Sequence, residues 1–591
     1  MPNKKKVNHL SLRLSVLFLM TFLLFSALIF RLGYVQIVKG EDYLQNTEKN
    51  SVRKVSVEAP RGWIMDRNGE ILVHNNVGFT VTFTLNSGMK QDKEQIAQKL
   101  SELIDMKKED ILKEIEGGVA FEPRRIKQDL KKEEMFRVSE HLHELPGVDI
   151  IEEPVREYKH GSTFRQFLGK VGPIQPDRMD YYLAKGYRMN EWVGTSYLEQ
   201  QYEEQLRGTE GSIEVYVDKK LRPIDEPIHT AGKRGHDLVL TIDLELQKKI
   251  EEVIDQTIKE YDLVKEAYFV AMDPNTGEIL GMSNSSNTIG TGQFSYAAGS
   301  TVKMATVLMG LHEGIVTPRT LINDRPMTIG NLTKKSWKPG GLGEVDAYKA
   351  LQKSSNIYMF NIGLKMANYN GGRYYRKEAF DEAFYYFSQF GLGVKTGIDL
   401  PNEYDGLKSE DRRLGKMADY MIGQYHNYTP LQLAQYVATI ANGGYRLQPF
   451  LVKEIRRGTP KEGELGQVVM KREPKILNRI DMSDEHIRVV KRGMEMVTES
   501  GGTAFSTFNN FPIKVAAKTG TAQTGQGGLN NTLLVGYAPA DNPQIAFACV
   551  VPASQKSQSQ GQVAHAQVIT KKILETFFKL DQQKELKVQE E

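Results

Sequence analysis

The sequence predicts an α+β protein: a large C-terminal domain whose terminal segments share one antiparallel sheet, a mixed α/β domain before it, and a single apolar helix at the N-terminus. Three observations carry the prediction. Residues 14–30 run without a charge between Arg13 and Arg31. Strand patterns recur at both ends of the stretch beyond residue 235, and helical patterns fill the middle. At 591 residues the chain is also too long for one compact domain.

Composition agrees, since 40% hydrophobic and 26% charged residues describe folded globular material. A formal charge of +3 with no basic face or recognition motif gives no reason to expect a nucleic-acid partner. The single cysteine, Cys549, excludes an intramolecular disulfide. It lies in Ile545-Ala-Phe-Ala-Cys-Val-Val551 and reads as a buried strand thiol.

From the N-terminus, Lys4, Lys5 and Lys6 precede the apolar run and no acidic residue appears before Glu41. At about 1.5 Å per residue the run is slightly shorter than a hydrocarbon core. Snorkelling arginines and residues 32–35 make up the difference. No small-x-small cleavage site follows, so residues 14–35 are expected to stay as an anchor. Residues 1–13 then form a cytoplasmic tail, and everything beyond residue 35 is exported.

Residues 36–235 read as the mixed domain. Asn68-Gly69 marks a turn, residues 79–84 alternate as a strand, and residues 93–104 and 131–145 carry helical patterns. Ala231-Gly-Lys-Arg-Gly235 marks the second boundary. In residues 236–580, strands are expected at 237–243, 267–272 and 278–282, with a helix at 246–261 and a turn at Asp273-Pro-Asn-Thr-Gly277. Further strands are expected at 513–517, 532–537 and 545–551, and an amphipathic helix at 563–580 lies across them. Residues 581–591 form a charged tail.

Ser300-Thr-Val-Lys303 opens a helical pattern, which sets a hydroxyl and an amine one turn apart on one face. A serine hydroxyl is a poor nucleophile until a base takes its proton, and a neutral lysine amine at that spacing can do so. Alone the tetrapeptide says little. Ser354-Ser-Asn356 follows 54 residues on, and Lys518-Thr-Gly-Thr521 follows 218 residues on inside a strand pattern. Together, in this order, the three mark penicillin-binding proteins and serine β-lactamases. A strand bearing Lys518, Thr519, Gly520 and Thr521 can run beside an extended peptide, with the glycine leaving room and the lysine and hydroxyls holding a carboxylate. The competing readings are a helix cap for Ser354, a surface amide for Asn356 and a solvated lysine for Lys518.

The chain resembles the class B penicillin-binding proteins well beyond these motifs. Arg61-Gly-Trp-Ile-Met-Asp-Arg-Asn-Gly69 is similar to the motif that opens their pedestal. Gly194-Thr-Ser-Tyr-Leu-Glu199, Tyr202-Glu203 and Leu206-Arg-Gly208 are similar to its second block. Gly423-Gln424, Thr429-Pro-Leu-Gln-Leu-Ala434 and Ala441-Asn-Gly-Gly444 are similar to the segment between the second and third catalytic motifs. No glycosyltransferase-type domain fits between the anchor and Arg61, which argues against class A. The chain departs from the family at Ala298, Lys159, Phe164 and Tyr197, the last standing for a usual glycine.

The resemblance implies a transpeptidase domain at 236–580 on a non-catalytic pedestal at 36–235, and a D,D-transpeptidase that cross-links peptidoglycan outside the plasma membrane of a bacterium. Ser300 would attack the penultimate D-alanine of a D-Ala-D-Ala stem peptide, Lys303 would be the base, and Ser354 would relay the proton. Asn356 would hold the substrate amide, and Lys518, Thr519 and Thr521 its carboxylate. The Ser300 and Thr521 backbone N–H groups would form the oxyanion hole. A neighbouring stem-peptide amine would be the acceptor, and β-lactams would acylate the same serine. An ordinary lysine is protonated at neutral pH, so burial and the charge of Lys518 are expected to lower the Lys303 pKa. No cofactor is called for, and the histidines show no metal-ligand spacing. Wall-synthesis glycosyltransferases are candidate partners of anchor and pedestal. The alternatives are a serine β-lactamase or D,D-carboxypeptidase, or a non-catalytic penicillin-binding sensor or scaffold. A retained anchor and long pedestal are unusual for the first two, and a sensor would need more than the short cytoplasmic tail.

Overall fold

A computed structural model describes residues 9–39, 52–57, 59–85, 91–116, 123–216, 228–284, 290–459, 464–524, 528–556 and 563–581. Lys4–Lys6 and nearly all of the charged tail therefore lie outside the described residues. The chain divides into two compact units, residues 1–60 with 208–233, and residues 61–207 with 234–591.

The first unit holds helix α1 (His9–Gly33). From Leu14 on its apolar side chains stand exposed, as in Phe18, Phe25 and Phe30. An apolar stretch from Arg13 to Ile37 is long enough to cross a membrane. The unit also contains a three-stranded antiparallel sheet of Val52–Val57, Gly211–Tyr216 and Ile228–Thr230.

The second unit begins with strands β1 (Ile64–Met65) and β2 (Ile71–Thr84), turned at Asn68-Gly69. Gly69 takes φ +90, and Asp66 Oδ1 accepts from the backbone N–H of Asn68 and Glu70, each at 2.8 Å. Helices α2 (Lys93–Leu103) and α3 (Lys108–Glu116) follow, then β3 (Pro123–Lys127), α4 (Lys132–His141) and β4 (Val148–Tyr158). Ile96, Leu100, Ile111 and Ile115 recur at helical spacing and pack on Val81 and Phe83 of β2.

Strand β5 (Asp237–Leu240) runs parallel to β1, just past the glycine-rich boundary. Its other edge pairs with a strand more than 200 residues on, so one seven-stranded sheet spans both sides of residue 235.

Next come α5 (Leu244–Glu260), β6 (Tyr268–Met272), β7 (Ile279–Asn284), α6 (Lys303–His312), α7 (Asn356–Met366) and α8 (Pro430–Ala441). They are followed by β8 (Val452–Arg456), β9 (Val468–Lys471) and α9 (Asp484–Thr498). The chain closes with β10 (Ala516–Gln523), β11 (Leu529–Ala538), β12 (Ile545–Lys556) and α10 (His565–Phe577). The second sheet has the order β7-β6-β12-β11-β10 and is antiparallel throughout, as expected for the strands at 267–282 and 513–551, whereas the strand expected at 237–243 joins the other sheet.

Its strands β6 and β12 are apolar along most of their length because both faces are covered. Phe269, Phe547 and Cys549 face Ile250 of α5 and Ile573 of α10. Tyr268, Val270, Ala548 and Val550 face the helical layer containing α8. All twelve residues of α8 are buried, which explains its lack of a polar stripe. Burial raises the Cys549 thiol to about 12, so this cysteine is packing material.

Candidate active site

Ser300 lies in the short 3₁₀ turn Gly299–Val302, and Lys303 begins α6. Tyr436 of α8 accounts for the break between the two. Its hydroxyl accepts from the Ala305 N–H at 2.9 Å and donates to the Thr301 carbonyl at 3.3 Å. It therefore occupies the place of the direct bond that would carry a regular helix through both residues. Gly299 takes φ +53 and donates to the Gly423 carbonyl at 2.9 Å. A Cβ on Gly423 would lie 2.3 Å from the Gly299 carbonyl oxygen, which gives the Gly423-Gln424 signature a packing reason.

Ser354 ends the helix Ala347–Gln352, where its N–H reaches the Leu351 carbonyl and the Ser355 N–H reaches that of Ala350. This is a Schellman cap, and Ser354 holds the left-handed position at φ +55 that glycine usually takes. Such strain costs about 1–2 kcal/mol and fixes where the hydroxyl points. Ser355 then caps α7 by accepting from the Tyr358 N–H at 3.0 Å.

These elements converge on two lysines. Lys303 is fully buried, and its Nζ donates to the Ser354 carbonyl at 2.8 Å and to Asn356 Oδ1 at 2.6 Å, with Ser354 Oγ at 3.2 Å. Lys518 is equally buried, and its Nζ donates to Ser354 Oγ at 2.9 Å and to the Thr519 carbonyl at 3.0 Å. Burial and the facing charge of Lys518 hold Lys303 well below the ordinary lysine range, although Asp324 pulls the other way. Burial lowers Lys518 to about 7.

Lys518 and Gly520 lie on the inner face of β10, and Thr521 is exposed. The sequence suggested that Gly520 leaves room for substrate. A Cβ there would instead meet Thr301 Cγ2 at 2.7 Å and the Ala298 carbonyl at 2.9 Å. The position shares a face with Lys518, so the missing side chain lets the strand close on the turn bearing Ser300. The Thr519 hydroxyl shares a 2.7 Å hydrogen bond with Thr503. Among the described residues β10 pairs only with β11, so its other edge has no strand partner.

The structure thus links Lys303, Ser354, Asn356 and Lys518 by hydrogen bonds and closes the turn that bears Ser300 on the strand at Thr521, whose carbonyl a Cβ on Gly299 would meet at 2.5 Å. Tyr436 and Thr503 were not singled out from the sequence. An apolar-flanked tyrosine in a helix reads as core, and the only signal was its place in the helix that begins at Thr429-Pro.

The family described as penicillin binding protein transpeptidase domain matches residues 267–575, and the penicillin-binding protein dimerisation domain matches residues 56–240. Penicillin-binding protein 2A of Bacillus subtilis (strain 168) is 37% identical over 98% of this chain and 95% of its own. Penicillin-binding protein H of the same organism is 35% identical over 93% and 95%. The solved penicillin-binding protein 2B of Streptococcus pneumoniae (strain R6) superposes with a TM-score of 0.70 at 26% identity, covering 89% of this chain and 99% of that one. From the pedestal motif to the last helix, the chain belongs to the class B penicillin-binding proteins.

Proposed function

We propose that this protein is a membrane-anchored peptidoglycan D,D-transpeptidase that works through a serine acyl-enzyme on Ser300. The observation that carries the reading is the pair of buried lysines sharing one serine hydroxyl. A neutral Lys303 amine donates to the Ser354 carbonyl and Asn356 Oδ1 and keeps a lone pair. That lone pair takes the Ser300 proton as the hydroxyl attacks the penultimate D-alanine carbonyl. Ser354 Oγ lies 3.2 Å from one amine and 2.9 Å from the other, so it passes that proton to the departing D-alanine amine. The amine of a second stem peptide then attacks the acyl-enzyme carbonyl, and the proton that amine gives up returns along the same path to Ser300 Oγ as the ester bond breaks.

In this account the open edge of β10 receives the donor peptide, with Lys518 and the Thr519 and Thr521 hydroxyls at its carboxylate. Asn356 meets its amide, and the Ser300 and Thr521 N–H groups receive the oxyanion. Residues 36–235 serve as pedestal and 236–580 as catalytic domain, held outside the membrane by residues 14–35. The anchor and pedestal are the surfaces offered to wall-synthesis glycosyltransferases.

The test is a donor ending in D-Ala-D-Ala incubated with an amine acceptor and the full chain. Release of D-alanine together with the new amide product supports the reading. D-alanine release with hydrolysis alone marks a carboxypeptidase, and rapid turnover of a chromogenic β-lactam marks a β-lactamase. No reaction with either marks a sensor or scaffold.

A further inference from the structure

Asp324 ends the short strand Ile322–Asp324, which pairs with Gly343–Val345, and it is fully buried. Its Oδ2 accepts from Ser336 Oγ at 2.7 Å and from Ser355 Oγ, and its Oδ1 accepts from the Leu342 N–H at 3.3 Å. Both hydroxyls lead onward to the second catalytic motif. Ser336 Oγ accepts from the Asn356 N–H at 2.9 Å, and Ser355 Oγ caps the helix that Asn356 begins. Gly341, at φ +94, lets the intervening loop close over this carboxylate, because a Cβ there would lie 1.7 Å from the Asp324 carbonyl oxygen.

The carboxylate accepts on both oxygens, which a neutral amide cannot do, yet burying its charge is costly even so. The charge therefore calls for a reason. The charged groups that act on Lys303 are Lys518, which opposes its ammonium form, and Asp324, which favours it.

Building on the acyl-enzyme reading, we propose that Asp324 is a positioning residue for the reaction. Through Ser336 and Ser355 it holds Ser354 and Asn356 against Lys303, and it supplies the counter-charge in a site with two buried lysines. It touches no reacting atom. Its loss acts in two separable ways: the tether slackens, and Lys303 gives up its proton more readily.

The experiment measures acylation of the full chain by a fluorescent penicillin across pH, with wild type as reference. In Asp324→Asn the plateau rate is expected to fall about tenfold. The acid limb is expected to move roughly one pH unit lower, because a negative charge beside the base has gone. In Ser336→Ala, which keeps the charge and removes one tether, the plateau falls and the limb stays in place. An Asp324→Asn protein with the wild-type plateau and limb would overturn the inference. If that variant does not fold, Ser336→Ala decides, and a wild-type plateau there is equally fatal. A wild-type chain that penicillin does not acylate would overturn the acyl-enzyme reading itself, and this inference with it.

Discussion

Two buried amines against one serine hydroxyl govern how this site answers to pH and to substitution. Lys303→Arg keeps the charge but replaces the base with a guanidinium that is never neutral. Acylation by a β-lactam is expected to fall at least a hundredfold, within the usual worth of a general base. Rates within tenfold of wild type would remove Lys303 from that role. Lys518 carries a stability consequence as well. Its folded-state pKa of about 7 is below that of an unfolded lysine. Between that value and about 10, the unfolded chain holds the extra proton, so stability rises with pH across this window. Over the full window the term is on the order of 4–5 kcal/mol. Lys518→Met should flatten the rise and melt no lower than wild type at pH 7 while losing acylation, as read by thermal melts from pH 6 to 9. The residue types were legible in the three motifs. The burial of Lys303 beside Lys518 was expected only through the family resemblance, and the Ser354 hydroxyl shared by both amines was not legible, because neither is written in spacing.

At the level of elements, the continuous apolar runs of the second sheet were plain in the sequence, and the strand around Cys549 lies where that run predicts. The strand expected at 513–517 begins instead at Ala516. Its partner β11 ends at Ala538, and Pro539 has no N–H to continue the ladder, so the Lys514 carbonyl accepts instead from the Ala540 N–H at 2.8 Å and that of Val515 from the Thr498 hydroxyl at 2.7 Å. The resemblance marked Tyr197 as standing for a usual glycine, and the backbone there keeps a glycine-like φ of +49. The break before α6 was invisible because its cause lies on another helix. Tyr436→Phe removes the inserted hydroxyl and lets Ala305 and Thr301 bond directly, which straightens the start of the helix. Acylation should fall about tenfold through misplacement of Ser300, with a stability change of only about 1 kcal/mol because the freed groups find each other. An unchanged acylation rate would show that the turn holds its shape without Tyr436.

On the scale of the molecule, the pedestal motifs meet in one buried ion cluster. Arg61 Nη2 pairs with Glu199 at 2.7 Å and Glu203 at 2.8 Å, and Arg156 pairs with Glu199 at 2.8 Å. Burial alone would raise the Glu199 carboxyl, but Arg156 and Arg61 hold it below its usual range. The sequence showed these blocks only as matches to a family, since nothing local tells residue 61 that residue 199 is its partner. Beyond residue 61 the chain buries its own cores, whereas α1 exposes its apolar side chains from Leu14 to Leu32. A variant lacking residues 1–35 is therefore expected to be soluble without detergent and to bind penicillin at the wild-type rate, measured by size exclusion and labelling. Aggregation, or lost labelling in a folded preparation, would move the boundary of the anchor.

The central claim is that this fold presents Ser300 as an acyl acceptor. It is tested most directly by treating the full chain with a β-lactam and locating the adduct by peptide mass spectrometry. One β-lactam per chain on the peptide carrying Ser300, lost in Ser300→Ala with the melting curve unchanged, is the predicted result. An adduct at another residue, or labelling that survives Ser300→Ala, would contradict the account.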